Sequence, residues 1–201
     1  MEPWQPGKED VRNLIVASLV FGVSFAAFFQ STQFKQILFY VLTSLIVLIT
    51  REIGIRSAAQ NMTAYVDTNL SLTGSIYSIF AAFTAVVLQV PVILLFPLWN
   101  EASMKSHEQW GKTVDALWLK RKFWLHTAGI LALFTGWAFS SGLGMIFVAR
   151  MYALTAFFFL LPFDYDNFPG GKLDGADILR WNGFYWLVLT GLSIVFYALT
   201  Y

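Results

Sequence analysis

The sequence predicts an all-α polytopic membrane protein of about five to six transmembrane helices, with a small membrane-associated β-hairpin or re-entrant segment. Three observations carry that expectation. Charged residues make up 12% of the chain and hydrophobic residues 57%, with mean hydropathy +0.61, whereas soluble domains carry about 25% charged residues. Apolar runs near the roughly 20 residues that cross a bilayer recur along the chain. Between the second and third of them, β-branched and turn residues replace the helical pattern. No low-complexity linker divides the sequence, so residues 1–201 read as one integral membrane domain.

Taken in order, residues 1–10 are polar, contain Pro3 and Pro6, and read as a surface segment. They lack the basic start and small-residue cleavage site of a signal peptide, so the first apolar run, 11–29, reads as a retained span. Gln30 to Gln36 is a polar turn. The second span, 37–58, reaches membrane length only if the charged residues after Ile49 continue its helix. Residues 59–79 read as two short strands, Thr63–Thr68 and Leu72–Ser78, turning at Asn69. Residues 80–99 are apolar but hold Gln89, Pro91 and Pro97, which suits a kinked span or a re-entrant hairpin.

Charge favours the hairpin. The re-entrant path places Lys105, Lys112, Lys120, Arg121 and Lys122 on the same side as Arg51 and Arg56, as the cytoplasmic bias of basic residues requires. Most polar loops are then cytoplasmic in a multi-pass protein of the cell membrane. Spans 123–140 and 142–161 follow, with Gly129, Gly136, Gly142 and Gly144 suited to close helix contact. Arg150 lies within the second of these and calls for a carboxylate or lipid head group. Residues 162–183 read as a polar loop. The last span, 184–201, begins beside the interfacial aromatics Trp181, Tyr185 and Trp186.

Composition also excludes chemistry. The chain has no cysteine, which removes disulfides, thiolate metal sites and a cysteine nucleophile. A net charge of +1 gives no basic excess for nucleic acid. Only His107 and His126 offer imidazole, and no phosphate-binding glycine loop or Ser/His/Asp set is present. No cofactor is expected. The expected partners are membrane lipids and other integral membrane proteins.

The most demanding stretch is Thr50-Arg51-Glu52-Ile53-Gly54-Ile55-Arg56, where Arg51, Glu52 and Arg56 fall at or just inside a membrane boundary. On one helix, Arg51 and Ile55 share a face and Glu52 and Arg56 the next. A zinc hydrolase would carry histidines at 51 and 55 around the glutamate at 52. Far downstream stand Leu160-Leu161-Pro162-Phe163 and Leu173-Asp174-Gly175-Ala176-Asp177-Ile178-Leu179-Arg180-Trp181-Asn182.

Together these stretches resemble the site-2 protease family of intramembrane zinc metalloproteases, and most closely its compact archaeal branch. The resemblance covers most of the chain. It implies that Asp174 stands where the family has its third zinc ligand, and Glu52 where it has the glutamate that activates the metal-bound water. It also implies a groove that admits a partner's transmembrane segment.

The departures turn that expectation towards a pseudoenzyme. Arg51 and Ile55 replace the two histidines, and neither donates to zinc. No catalytic residue is expected at the degenerate positions Arg51, Glu52, Ile55 and Asp174, and no metal. The implied role is an inactive scaffold or accessory subunit of a larger membrane complex, such as a respiratory or monooxygenase assembly. The alternative is an active protease with an atypical metal site, which His126 could approach.

Two readings of the charges stay open. Arg51 could bridge Asp174, Glu52 or both in the metal's place, with Arg56 a further ion-pair candidate. Alternatively, Arg51 and Arg56 snorkel at the interface and Asp174 lies in a loop. Asp164, Asp166, Asp174 and Asp177 could form a cation site or a solvated acidic loop. The segment Tyr165–Lys172 looks inserted and could displace Asp174.

Overall fold

The computed structural model describes residues 6–31, 33–62, 64–96, 98–103, 113–164 and 172–201. Trp4, Lys105, His107, Trp110, Lys112, Asp166 and most of the 165–172 segment lie outside the described residues. The chain runs α1 (Lys8–Phe28), α2 (Phe34–Met62), β1 (Tyr65–Leu70), α3 (Leu72–Leu88), β2 (Leu98–Ser103), α4 (Thr113–Gly142), α5 (Ile146–Phe159), α6 (Asp174–Trp181) and α7 (Gly183–Leu199). α2 lies between α1 and α4, α3 packs on α1, and α4 carries α5 and α6, with α7 outside α5.

Among the described residues, three helices are long and apolar enough to cross a membrane: α1, α2 and the Trp118–Gly142 part of α4. α5, with 14 residues, is only about 21 Å long against a hydrocarbon layer of about 30 Å. It is shorter than the expected 142–161 span because a turn at Leu143–Met145, with Gly144 at φ +71°, consumes its start. α7 has 17 residues. The core joins Phe21 and Phe25 of α1, Val47 and Leu48 of α2, Ile130 and Leu133 of α4, and Met151 and Phe159 of α5. Large apolar side chains also face outward, among them Phe80 and Phe83 on α3 and Phe184 and Leu187 on α7.

The expected strand pair of residues 59–79 is corrected. Only the first segment is a strand, and its partner is β2, antiparallel, with Thr68 opposite Asn100. The second segment is the start of α3. Ser71 caps that helix, its hydroxyl accepting from the Gly74 N–H at 2.9 Å, and this local bond outweighs the strand-like alternation of Leu72–Ser78.

α3 and the chain after it form an out-and-back excursion. Both ends are tied together by the β1–β2 pairing. The 17 residues of α3 span about 26 Å, and the irregular chain after Leu88 returns to β2. At the tip, Gln30 beyond α1 donates to the Gln89 carbonyl at 3.0 Å. The tip is therefore level with the α1–α2 turn. On the return path, Leu95 and Phe96 are buried, and the Phe96 N–H bonds the Ser78 hydroxyl at 3.1 Å.

Among the described residues, Arg150 meets backbone oxygens rather than a side-chain carboxylate. Its guanidinium donates to the backbone carbonyls of Thr200 at 2.7 Å and Tyr201 at 3.1 Å. The negative end of the α7 dipole supplies the charge complement.

A buried ionic centre as the candidate functional site

Five elements place the members of the centre. α2 presents Arg51, Glu52 and Arg56 inward, β1 presents Thr68, β2 Asn100, α4 His126, and the first turn of α6 Asp174 and Asp177. The 162–183 region is therefore not all loop: acidic Asp174 and Asp177 open α6 and Arg180 closes it, each at the end the helix dipole favours. Gly175 lets this helix dock, because a Cβ there would collide with the Leu160 and Leu161 carbonyls.

Arg51 is 0% exposed. Its Nη2 donates to both carboxylate oxygens of Asp174, at 2.6 and 2.7 Å, and its Nε reaches Oδ2 at 3.1 Å. Nη1 donates to Glu52 Oε1 at 3.2 Å and to Asn100 Oδ1 at 2.5 Å. The guanidinium lies over the Phe159 ring, 3.8 Å from its centroid. Its charge is thus met by two carboxylates, one amide oxygen and a π face.

Glu52 is equally occupied. Oε1 accepts from Asn100 Nδ2 at 2.8 Å, and Oε2 accepts from Thr68 Oγ1 at 2.9 Å and from Arg56 Nε at 3.3 Å. Asn100 thus turns its oxygen to the guanidinium and its amide nitrogen to the carboxylate, the only orientation that satisfies both. Arg56 is buried rather than snorkelling: its Nη2 reaches Thr68 Oγ1 at 3.0 Å and Asp10 Oδ2 at 3.1 Å. Asp10 also accepts from the Thr68 N–H at 2.8 Å, while Asn13 donates to the Thr68 carbonyl at 2.8 Å. Asp10, at the polar start of α1, is therefore fastened to the centre, whereas Lys8 and Glu9 lie exposed, as the surface reading of residues 1–10 expects.

On the other flank, His126 stands between two aspartates. Nδ1 is 2.8 Å from Asp174 Oδ1, an ion-pair approach off the hydrogen-bond direction, and Nε2 is 3.2 Å from Asp177 Oδ2. Lys172 approaches Asp177 Oδ1 at 2.5 Å, and Arg180 pairs with Asp164. Burial disfavours the Asp174 carboxylate, but Arg51 and His126 outweigh it and hold its pKa below the ordinary 3.8. Burial also opposes the charge on Asp177, and His126 and Lys172 together bring its pKa below the ordinary value. A polar cavity of about 300 Å³ lies beside these groups, lined by Asn100, Lys122, His126, Asp164, Lys172 and Asp177 among others.

Ile55 turns away from this centre. It is buried with Ala59, Ala64, Val66 and Leu125 in a separate apolar cluster. The donors do not fit a family-type zinc site: Arg51 and Ile55 offer none, and both oxygens of Asp174 are engaged by a guanidinium. Among the described residues no group of three or more His, Cys, Asp or Glu side chains is placed to hold a metal ion. Of the acidic segment's described carboxylates, Asp174 is paired with Arg51, Asp177 with Lys172 and Asp164 with Arg180.

The structure thus brings together Arg51, Glu52, Arg56 and Asp174, and leaves Ile55 out. Sequence reasoning missed Asp10, Thr68 and Asn100. Thr68 and Asn100 stand opposite one another in the sheet but are separated by the whole of α3, and no local pattern announces that pairing. Compared with family models, curated proteins and solved structures, the chain matches none of them.

Proposed function

We propose that this chain is a catalytically silent membrane protein built on the site-2 protease plan, and that it serves as a scaffold or accessory subunit for other transmembrane proteins. The observation that carries the reading is the guanidinium of Arg51 on both oxygens of Asp174, with Glu52 and His126 beside it. A cation supplied by the chain itself does there what a metal does in the family: it neutralises the carboxylates and holds α2 to α6. A site neutralised in this way binds no water for hydrolysis, so the remaining use of the architecture is lateral binding. The outward apolar faces of α3 and α7 suit a subunit of a larger complex, such as a respiratory or monooxygenase assembly, in the cell membrane with its polar side cytoplasmic.

Two measurements test this. Purification from native membrane is expected to yield the chain with fixed-stoichiometry partners, and a protein that migrates alone counts against the subunit role. Metal analysis of the parent is expected to find no stoichiometric zinc, whereas Arg51→His with Ile55→His is expected to bind one zinc that Asp174→Ala abolishes. Zinc in the parent that is lost with His126→Ala would instead establish the metallopeptidase reading.

A further inference from the structure

The polar cavity beside the ionic centre has β2 on one side and α4 and α6 on the other, and its volume is about 300 Å³. That is the lower end of the range for small-molecule sites, so an occupant is small. Asn100, His126, Asp164 and Asp177 on its walls are buried. Small-molecule pockets are mostly apolar with a few polar groups. Here the walls themselves are polar, which suits a small charged ligand rather than a hydrophobic one.

The charges around the cavity divide into closed pairs and open groups. Asp164 pairs with Arg180, and Asp177 with Lys172. His126 is taken up between Asp174 and Asp177, and Asp174 is neutralised from behind by Arg51. Two lining charges of opposite sign are left. Among the described residues, the Lys122 ammonium, on a half-buried side chain, meets only the Trp118 ring, 5.0 Å away. The Glu101 carboxylate meets no cation, and directly across the sheet from Glu101 stands Asp67, also exposed. Like charges directly opposite in a sheet repel one another, and a cationic group between them removes the repulsion.

We propose that this cavity binds a small zwitterion of the α-amino-acid type, its carboxylate on Lys122 and its ammonium on Glu101 and Asp67. The full charge count decides against simpler ligands. On the walls Lys122, Lys172 and Arg180 balance Glu101, Asp164 and Asp177, and behind them Arg51 balances Asp174. A simple anion gains Lys122 but meets the carboxylates, and a simple cation gains Glu101 but meets Lys122. A ligand of both signs answers each open charge with a charge-assisted hydrogen bond and adds no net charge.

The test is equilibrium dialysis of radiolabelled L-serine against the full chain in detergent. One saturable site is expected, with a Kd of about 1 mM or tighter. L-Serinamide lacks the carboxylate and N-acetyl-L-serine lacks the ammonium, and each is expected to compete about ten-fold or more weakly than L-serine. Lys122→Met and Glu101→Gln are each expected to weaken L-serine about ten-fold or more. Lys35→Gln, an exposed charge at the start of α2, is expected to leave it unchanged.

No saturable binding overturns the site and leaves a water-filled cavity. An analogue that competes as well as L-serine overturns the zwitterion. Binding unchanged by Lys122→Met, or weakened equally by Lys35→Gln, overturns the placement. Glycerophosphoethanolamine carries the same two charges in the form of a lipid head group, and tighter competition by it overturns the amino acid in favour of a lipid. The analogues need only the parent, so the ligand class is decided even where a variant does not fold.

Discussion

The Arg51 guanidinium and the Asp174 carboxylate are 123 residues apart in sequence and share three hydrogen bonds, with Arg51 fully buried. This pair ties α2 directly to α6 through charge. Removing one partner leaves the other ionised and enclosed, at a cost of about 3–5 kcal/mol.

A double-mutant cycle measures the pair. Arg51→Ala and Asp174→Ala are each expected to lower stability by about 3–5 kcal/mol, and the double variant by clearly less than the sum. Reversible unfolding in bicelles or mixed micelles gives the values. Additive losses would refute the bridge.

Asn100 sets up a second expectation. Asn100→Asp replaces the amide donor that lies 2.8 Å from Glu52 Oε1 with a carboxylate. Loss of the hydrogen bond and the new repulsion are expected to destabilise by about 2–4 kcal/mol. Lowering the pH, which protonates the introduced carboxyl, should recover part of the loss. Stability no worse than that of the parent at neutral pH would contradict the network.

Gly175 tests whether backbone docking positions Asp174. Gly175→Ala pushes a methyl into the Leu160 carbonyl and is expected to cost about 1–3 kcal/mol. Gly142→Ala, with nothing within 4 Å of its added Cβ, should be neutral or slightly stabilising. Thermal unfolding in detergent compares them, and equal effects would remove any special role for position 175.

Acid should loosen the α4–α6 contact. The folded pKa of Asp177 lies below the ordinary 3.8, so its contribution is present above that value and is lost as pH falls towards the folded pKa. Stability is expected to drop below about pH 4, and Asp177→Asn should flatten that drop by up to about 1.4 kcal/mol per pH unit. An unchanged slope would contradict the assignment.

Some of these elements were legible in the chain and others were not. The apolar runs located α1, α2 and α4 because bilayer-length hydrophobicity is a local property. α3 was misread as a strand over Leu72–Ser78, although Ser71 just before the apolar run was an N-cap signal in plain view. Asp10 read as a surface residue because its partners, the Thr68 N–H and the Arg56 guanidinium, belong to elements far along the chain.

By itself the sequence determined that Arg51, Glu52 and Arg56 continue an apolar helix, and that positions 51 and 55 around Glu52 carry no histidine. Both follow from residue identity and helical spacing. Only the tertiary structure decided between a snorkelling arginine and a buried bridge, because that choice depends on where α6 docks. Packing of α6 against α4 and of Gly175 against Leu160 brings Asp174 to the guanidinium. Burial of that pair is what makes the contact strong, and no local pattern in the chain encodes it.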